Sequence, residues 1–182
     1  MEKFTLKREE AVLFIIDIQD KLVPVMKYKD QVIDNNKILI KAAEEMDFPI
    51  IATEQYPKGL GRTVPELLDL IDEENIFAKN AFTAYTDEVK EKVKSIGRKK
   101  IIITGMETHI CVFQTARDLI NDGYEVYICI DAVASRSKDN YKNGLDLIQT
   151  MGGVITNTET VVYDLLKVSG TPEFKAMLKV IK

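Results

Sequence analysis

Ala11-Val-Leu-Phe-Ile-Ile-Asp17 is an unbroken apolar run closed by an acid. Its six apolar residues are too few for a typical helix, and they do not alternate with polar ones as a half-exposed strand would. A short continuous run of this kind reads as a strand covered on both faces, the mark of a parallel sheet with helices above and below. An amphipathic Asp30 to Asp47 segment follows, so strand is succeeded by helix. The same alternation recurs along the chain. Pro49-Ile-Ile-Ala-Thr53, Asn75-Ile-Phe-Ala78, Lys100-Ile-Ile-Ile-Thr104, Glu125-Val-Tyr-Ile-Cys-Ile130 and Gly153-Val-Ile-Thr156 are strand-like. Six strands in an α/β protein are expected, and the right-handed crossover rule places helices on both faces.

Helix punctuation agrees. Thr63-Val-Pro65 opens a Glu66 to Ile71 helix, Thr86 is a candidate cap for an Asp87 to Ser95 helix, and Gly97 and Gly123 stand at helix exits. Thr171-Pro172 starts a last helix, with threonine as N-cap and proline at its first position. The longest irregular stretch, Glu54 to Arg62, reads as a loop of the sort that often carries function.

The chain has 182 residues, 46% hydrophobic and 30% charged. That suits one domain over 1–182, able to bury about 70% of its unfolded surface without disulfide or metal staples. Subtracting 29 acidic from 25 basic residues gives a net charge of −4, with neither sign gathered into a block. Nucleic acid and anionic membranes are therefore poor partners. No apolar run approaches a membrane span, and Met-Glu-Lys-Phe-Thr has no signal-peptide pattern, so a cytoplasmic location is expected. The two cysteines, Cys111 and Cys129, make no disulfide framework. With one histidine, His109, and no paired Cys or His spacing, no N/S metal site is expected, and no cofactor.

Ligands of open α/β sheets sit beyond the carboxyl ends of the strands. Three chemically capable residues close apolar runs there: Asp17 after the first, Lys79 after the third and Cys111 just after the fourth. Cys111 begins a helical pattern continued by Thr115, Leu119 and Ile120, where the helix dipole favours a thiolate. A nearby Lys79 would lower the thiol pKa further, and Asp17 would accept and return its proton. The alternatives stay open: Cys111 as a small core residue, Asp17 as a cap or loop acid. Cys129, inside a strand, reads as core. His109 lies two residues from Cys111, and such pairs point apart on a helix, which puts it at the pocket rim or in the loop. Tyr56, Phe82 and Tyr85 are candidates for an aromatic wall, or for core or subunit contacts.

Asp17 and Gln19 in D-x-Q, Lys79 in Lys-x-x-Phe and Cys111 in Gly-Met-Glu-Thr-His-Ile-Cys-Val resemble the triad of the isochorismatase-like cysteine hydrolases, in that family's order. Thr53 to Gly61, Gln114 to Leu119 and Asp131 to Ser137 are similar to its isochorismatase-domain-containing subgroup. The resemblance implies a Rossmann-like three-layer sandwich with sheet order 3-2-1-4-5-6. It implies a cysteine hydrolase in which Cys111 attacks a carbonyl, Asp17 shuttles the proton and Lys79 supports the thiolate. It further implies a cis peptide between Met106 and Glu107 and an oxyanion hole from the backbone N–H groups of Glu107 and Cys111.

The substrate-binding candidates are Gln19, Tyr56, Phe82, Tyr85 and His109. Nicotinamidases of this family hold a metal through histidines after the second strand, where this chain has Glu54-Gln-Tyr-Pro-Lys-Gly-Leu. A metal-independent hydrolase of a small amide or ureido C–N bond is the leading expectation, with a small-molecule substrate and a homo-oligomeric assembly in which Phe174 to Ile181 offers an apolar interface. A non-hydrolytic binding or scaffolding protein and a thiol redox sensor are the alternatives.

Overall fold

The computed structural model describes residues 2–181; Met1 and Lys182, the ends of the expected 1–182 domain, lie outside the described residues. The first apolar run becomes β1 (Ala11–Ile16), every residue of which is buried. Ala11, Leu13 and Ile15 face one core and Val12, Phe14 and Ile16 the other, so the period-two geometry of one strand feeds both layers. Each such large side chain contributes about 1.5–3 kcal/mol when withdrawn from water.

β1 pairs in parallel with β2 (Ile50–Gln55) through Leu13 and Ile50, and with β4 (Lys100–Met106) through Ala11 and Lys100. β3 (Ile76–Lys79) lies outside β2, and β5 (Glu125–Ala134) and β6 (Val154–Thr156) continue beyond β4. The order is therefore 3-2-1-4-5-6, as the resemblance implied. The chain winds to opposite edges from β1, so a crevice opens where the carboxyl ends of β1 and β4 part.

α1 (Lys29–Met46) packs over one face, joined later in the chain by α7 (Thr158–Leu166) and α8 (Pro172–Met177). Two single turns, α2 (Pro57–Leu60) and α3 (Pro65–Leu68), follow β2. On the other face lie α4 (Asp87–Ile96), α5 (Phe113–Asn121) and α6 (Lys138–Thr150).

Several expectations are corrected. The Glu54 to Arg62 stretch is largely regular: β2 runs on through Gln55, and α2 takes up Pro57–Leu60. Buried Glu54 accepts from Arg62 Nε at 2.9 Å and Thr63 N at 2.7 Å, tying the segment to the body. The Glu66 to Ile71 helix shortens to α3. Thr86 occupies the N-cap of α4, but its hydroxyl makes no capping bond, whereas Thr171 Oγ1 accepts from Phe174 N at 3.1 Å as expected. Phe174 to Ile181 is only in part a free apolar surface, with Leu178 about half exposed. Met177 is buried in the core, Val180 and Ile181 pack against it, and Phe174 meets Tyr163 edge to face.

Candidate active site

Asp17 follows β1 directly and adopts φ 53°, a left-handed conformation uncommon outside glycine. Held this way, its carboxylate is wholly enclosed. Thr53 Oγ1 donates to Asp17 Oδ1 at 2.8 Å and Lys79 Nζ donates to Asp17 Oδ2 at 2.7 Å. Burial pushes the carboxyl above its ordinary range, opposed by the Lys79 ammonium and the Thr53 hydroxyl.

Lys79 is the last residue of β3, two strands from β1, and its stem reaches across the end of β2. On the way the ammonium donates to Gln55 Oε1 at 2.6 Å and to the carbonyls of Ala81 and Phe82 at 3.2 and 3.3 Å. The lysine thus fixes the start of the segment after β3 while it neutralises Asp17.

β4 delivers the third group. Gly105, at φ 111°, passes so close to β1 that a Cβ there would lie 1.9 Å from the Ile16 carbonyl oxygen, so only glycine fits. The Met106–Glu107 peptide is cis, where the resemblance placed it. The chain then enters a π-helical turn, Thr108–Val112, that runs into α5, with the Glu107 carbonyl accepting from both Ile110 N and Val112 N. Wide turns of this kind recur at functional sites.

Cys111 sits in that turn beside Asp17 and Lys79, and is 7% exposed against 0% and 5% for its two neighbours. Its thiol is not the thiolate expected from helix position. Burial first, then the Asp17 carboxylate, push it up to about 12, and Lys79 offsets only part of this. Cys129 lies in the core on the opposite face of the sheet, where it cannot resolve an oxidised Cys111.

The other candidates divide. Gln19 is fully buried, and its amide is committed to backbone: Oε1 accepts from Gln55 N at 2.7 Å, while Nε2 donates to the carbonyls of Gln55 and Gly61 at 3.0 and 2.7 Å. It clamps the loop after β2. Tyr56 and Phe82 are more than half exposed on the segments that Gln19 and Lys79 hold. Tyr85 is not brought to the triad: it is buried in the second core, edge to face with Tyr124, and its hydroxyl donates to Asp122 at 3.2 Å. His109 turns from Cys111 toward Ser135, with Nδ1 and Oγ 3.1 Å apart.

Five side chains were not singled out from sequence for these roles. Thr53 and Gln55, two apart on β2 and so on one face, contact Asp17 and Lys79 respectively, and that polar pair at a strand's carboxyl end was an available signal. The Glu107 carboxylate, nearly buried, accepts from Arg136 N at 3.0 Å and Nε at 3.1 Å, and Ser135 meets His109, so the segment after β5 is strapped to the Cys111 turn. Nothing in the spacing of residues 107 and 136 announces that contact. Among the described residues no three His, Cys, Asp or Glu side chains converge as a metal site.

Residues 11–160 match the isochorismatase domain family. Isochorismatase family protein 1A of Dictyostelium discoideum is 41% identical over 171 residues, which cover 91% of this chain and 82% of that protein. The solved structure of MAR1 ribonuclease from Caenorhabditis elegans superposes with a TM-score of 0.92 at 34% identity, covering 97% of this chain and 92% of that one. The YcaC gene product of Escherichia coli, an octameric hydrolase of unknown specificity, has a TM-score of 0.91 at 22% identity over 97% of this chain and 90% of that one, a likeness of fold alone. By domain match and by similarity over most of its length alike, the chain belongs to the isochorismatase family.

Proposed function

We propose that the protein is a metal-independent hydrolase of a small amide or ureido C–N bond, acting through a thioester on Cys111. The observation that carries this reading is the convergence of Asp17, Lys79 and Cys111 in one enclosed cluster at the carboxyl ends of β1, β3 and β4. Asp17 is a carboxylate whose proton affinity is raised by burial, which suits a general base beside a neutral thiol.

In the first half-reaction the Cys111 sulfur bonds to the substrate carbonyl carbon as its proton passes to Asp17. The carbonyl electron pair moves onto oxygen, facing the N–H groups of Glu107 and Cys111, where each such donor is typically worth about 10²–10³ in rate. Collapse of this adduct breaks the C–N bond, and the nitrogen leaves with the proton held by Asp17. In the second half water attacks the thioester, Asp17 takes the water proton, and the acid departs as the proton returns to the cysteine sulfur. Lys79 balances the negative charge that alternates between Asp17 and Cys111. His109, Tyr56 and Phe82 are the side chains we assign to the substrate's outer parts. Gln19 and Tyr85 act at a distance, through the loop clamp and the core.

The raised thiol pKa favours one rival, a binding protein that retains the pocket without turnover. Intact-mass analysis after mixing with a panel of primary amides and ureido acids separates the two. A transient acyl adduct on Cys111, absent in Cys111→Ala, supports the hydrolase; saturable binding by every ligand with no adduct and no ammonia release supports the rival. We further propose a homo-oligomer in the cytoplasm, where two free cysteines stay reduced.

A further inference from the structure

β5 leaves its partner for part of its length. Ile103 pairs with Ile128 and Gly105 with Val133, so residues 129–132 stand opposite Thr104 alone. A bulge this large turns side chains out of their usual alternation. Ile130 is 37% exposed between the buried Cys129 and Ala132, and the bulge is held open by Tyr141, whose hydroxyl donates to the Ile130 carbonyl at 2.6 Å.

Between this bulge, the start of α1 and the first turns of α6 lies a cavity of about 400 Å³, within the range of small-molecule sites. Its walls are apolar: Val32, Ile130, Val133 and Leu145. Lys27, Lys138 and Lys142 stand around it, and among the described residues none of the three makes an ion pair. Two acids line it as well: Asp131, whose Oδ1 accepts from Thr158 N and Oγ1 at 2.9 Å each, and Asp146, so the three lysines exceed the lining acids by one. In a chain of net charge −4 this is a local cationic surplus around an apolar hollow.

We propose that this cavity is a second small-molecule site, distinct from the Asp17–Lys79–Cys111 cluster, which takes an amphipathic anion: an acyl or aryl body in the apolar hollow with its carboxylate among Lys27, Lys138 and Lys142. The hollow is concave, and its lining carries three lysines against two acids, which suits such a ligand better than the flat face of a second subunit. Ser135 lines the same cavity and meets His109, two residues before Cys111, so occupancy is felt at the catalytic turn. The site stands whether or not the hydrolase reading holds.

The test uses octanoate and 1-octanol as probes and the single histidine as reporter. The imidazole proton resonance of His109 is unambiguous in this chain and moves saturably as octanoate is added. Ile130→Trp, which fills the hollow, abolishes that movement. Lys138→Gln with Lys142→Gln, both at exposed positions, weakens octanoate roughly tenfold, about one ion pair's worth, and leaves 1-octanol unchanged. Absence of a saturable shift in the wild type overturns the site. Equal affinities in the double Gln variant overturn its anion selectivity. If light scattering shows that Ile130→Trp dissociates an assembly while octanoate binds no form of the protein, the face is a subunit interface and the proposal is wrong.

Discussion

Lys79 Nζ and Asp17 Oδ2 are 2.7 Å apart with both side chains sealed from solvent. Such a pair is expensive to bury and more expensive to break, because the surviving charge is left without a partner. Asp17→Asn is expected to cost about 3–5 kcal/mol in urea denaturation, whereas Asp17→Asn with Lys79→Met costs less than the sum of the two single changes. Strict additivity would mean that the two groups do not share a charge.

The same pair sets the reactivity of Cys111, and it does so with opposing signs. The carboxylate holds the thiol pKa up and the ammonium pulls it down. At pH 8 wild-type Cys111 is therefore expected to react with iodoacetamide about tenfold or more slowly than a free thiol, whose pKa is about 8.5. Asp17→Asn removes the negative neighbour and speeds alkylation, whereas Lys79→Ala slows it further. Intact mass with peptide assignment reads both, with buried Cys129 as the unreactive control. Slower alkylation in Asp17→Asn would contradict the proposed arrangement of charges.

Stability should carry the same signature. The folded chain keeps the Cys111 thiol protonated up to about 12, while the unfolded chain releases that proton near 8.5. The stabilising contribution is complete below the lower value and is lost as pH rises toward the upper one, at no more than about 1.4 kcal/mol per pH unit. Urea midpoints of the wild type are expected to fall more steeply between pH 8 and pH 10 than those of Cys111→Ala.

Legibility followed sequence locality. β1 could be read because a six-residue apolar run has one economical use in a parallel sheet, and Thr171 because its cap is satisfied three residues away. Asp17, Lys79 and Cys111 could be read because strand ends converge by topology, before any side chain is placed. The π turn could not, since its hydrogen-bonding pattern differs from that of an α-helix by one residue and leaves the apolar spacing intact. Nor could the protonated thiol. Helix position argued for a thiolate, but burial and the Asp17 charge outweigh the dipole, and the Asp17 contact spans 94 residues of chain. Tyr85 failed for the same reason: its partners Tyr124 and Asp122 are distant in sequence and lie at the far end of α5.

Gln19 separates a substrate contact from a structural clamp. All three hydrogen bonds of its side chain go to the backbone of the Gln55 to Gly61 segment, so Gln19→Ala leaves one N–H and two carbonyls of that segment without this partner. A loss of roughly 2–4 kcal/mol is expected from unmaking these bonds, together with faster hydrogen exchange across residues 55–61. A ligand-binding role alone would raise KM without altering exchange in the free protein.

Gly144 tests how firmly α6 fixes the Cys111 turn. A Cβ at this position would lie 2.7 Å from the Thr108 carbonyl oxygen and 2.9 Å from His109 Cα, contacts that backbone atoms cannot relieve by rotating. Gly144 is helical, so alanine should improve local helix propensity by about 0.8–1 kcal/mol, and an isolated helix would welcome the change. Here overpacking against the turn acts in the opposite direction and costs typically about 1–3 kcal/mol. Gly144→Ala is expected to lower the urea midpoint and, by displacing the turn that carries Cys111, to change the cysteine alkylation rate, whereas an exposed helical position such as Asn143 changed to alanine does neither. An unaltered alkylation rate in a destabilised Gly144→Ala protein would place the strain in α6 itself and leave the Thr108–Val112 turn independent of it.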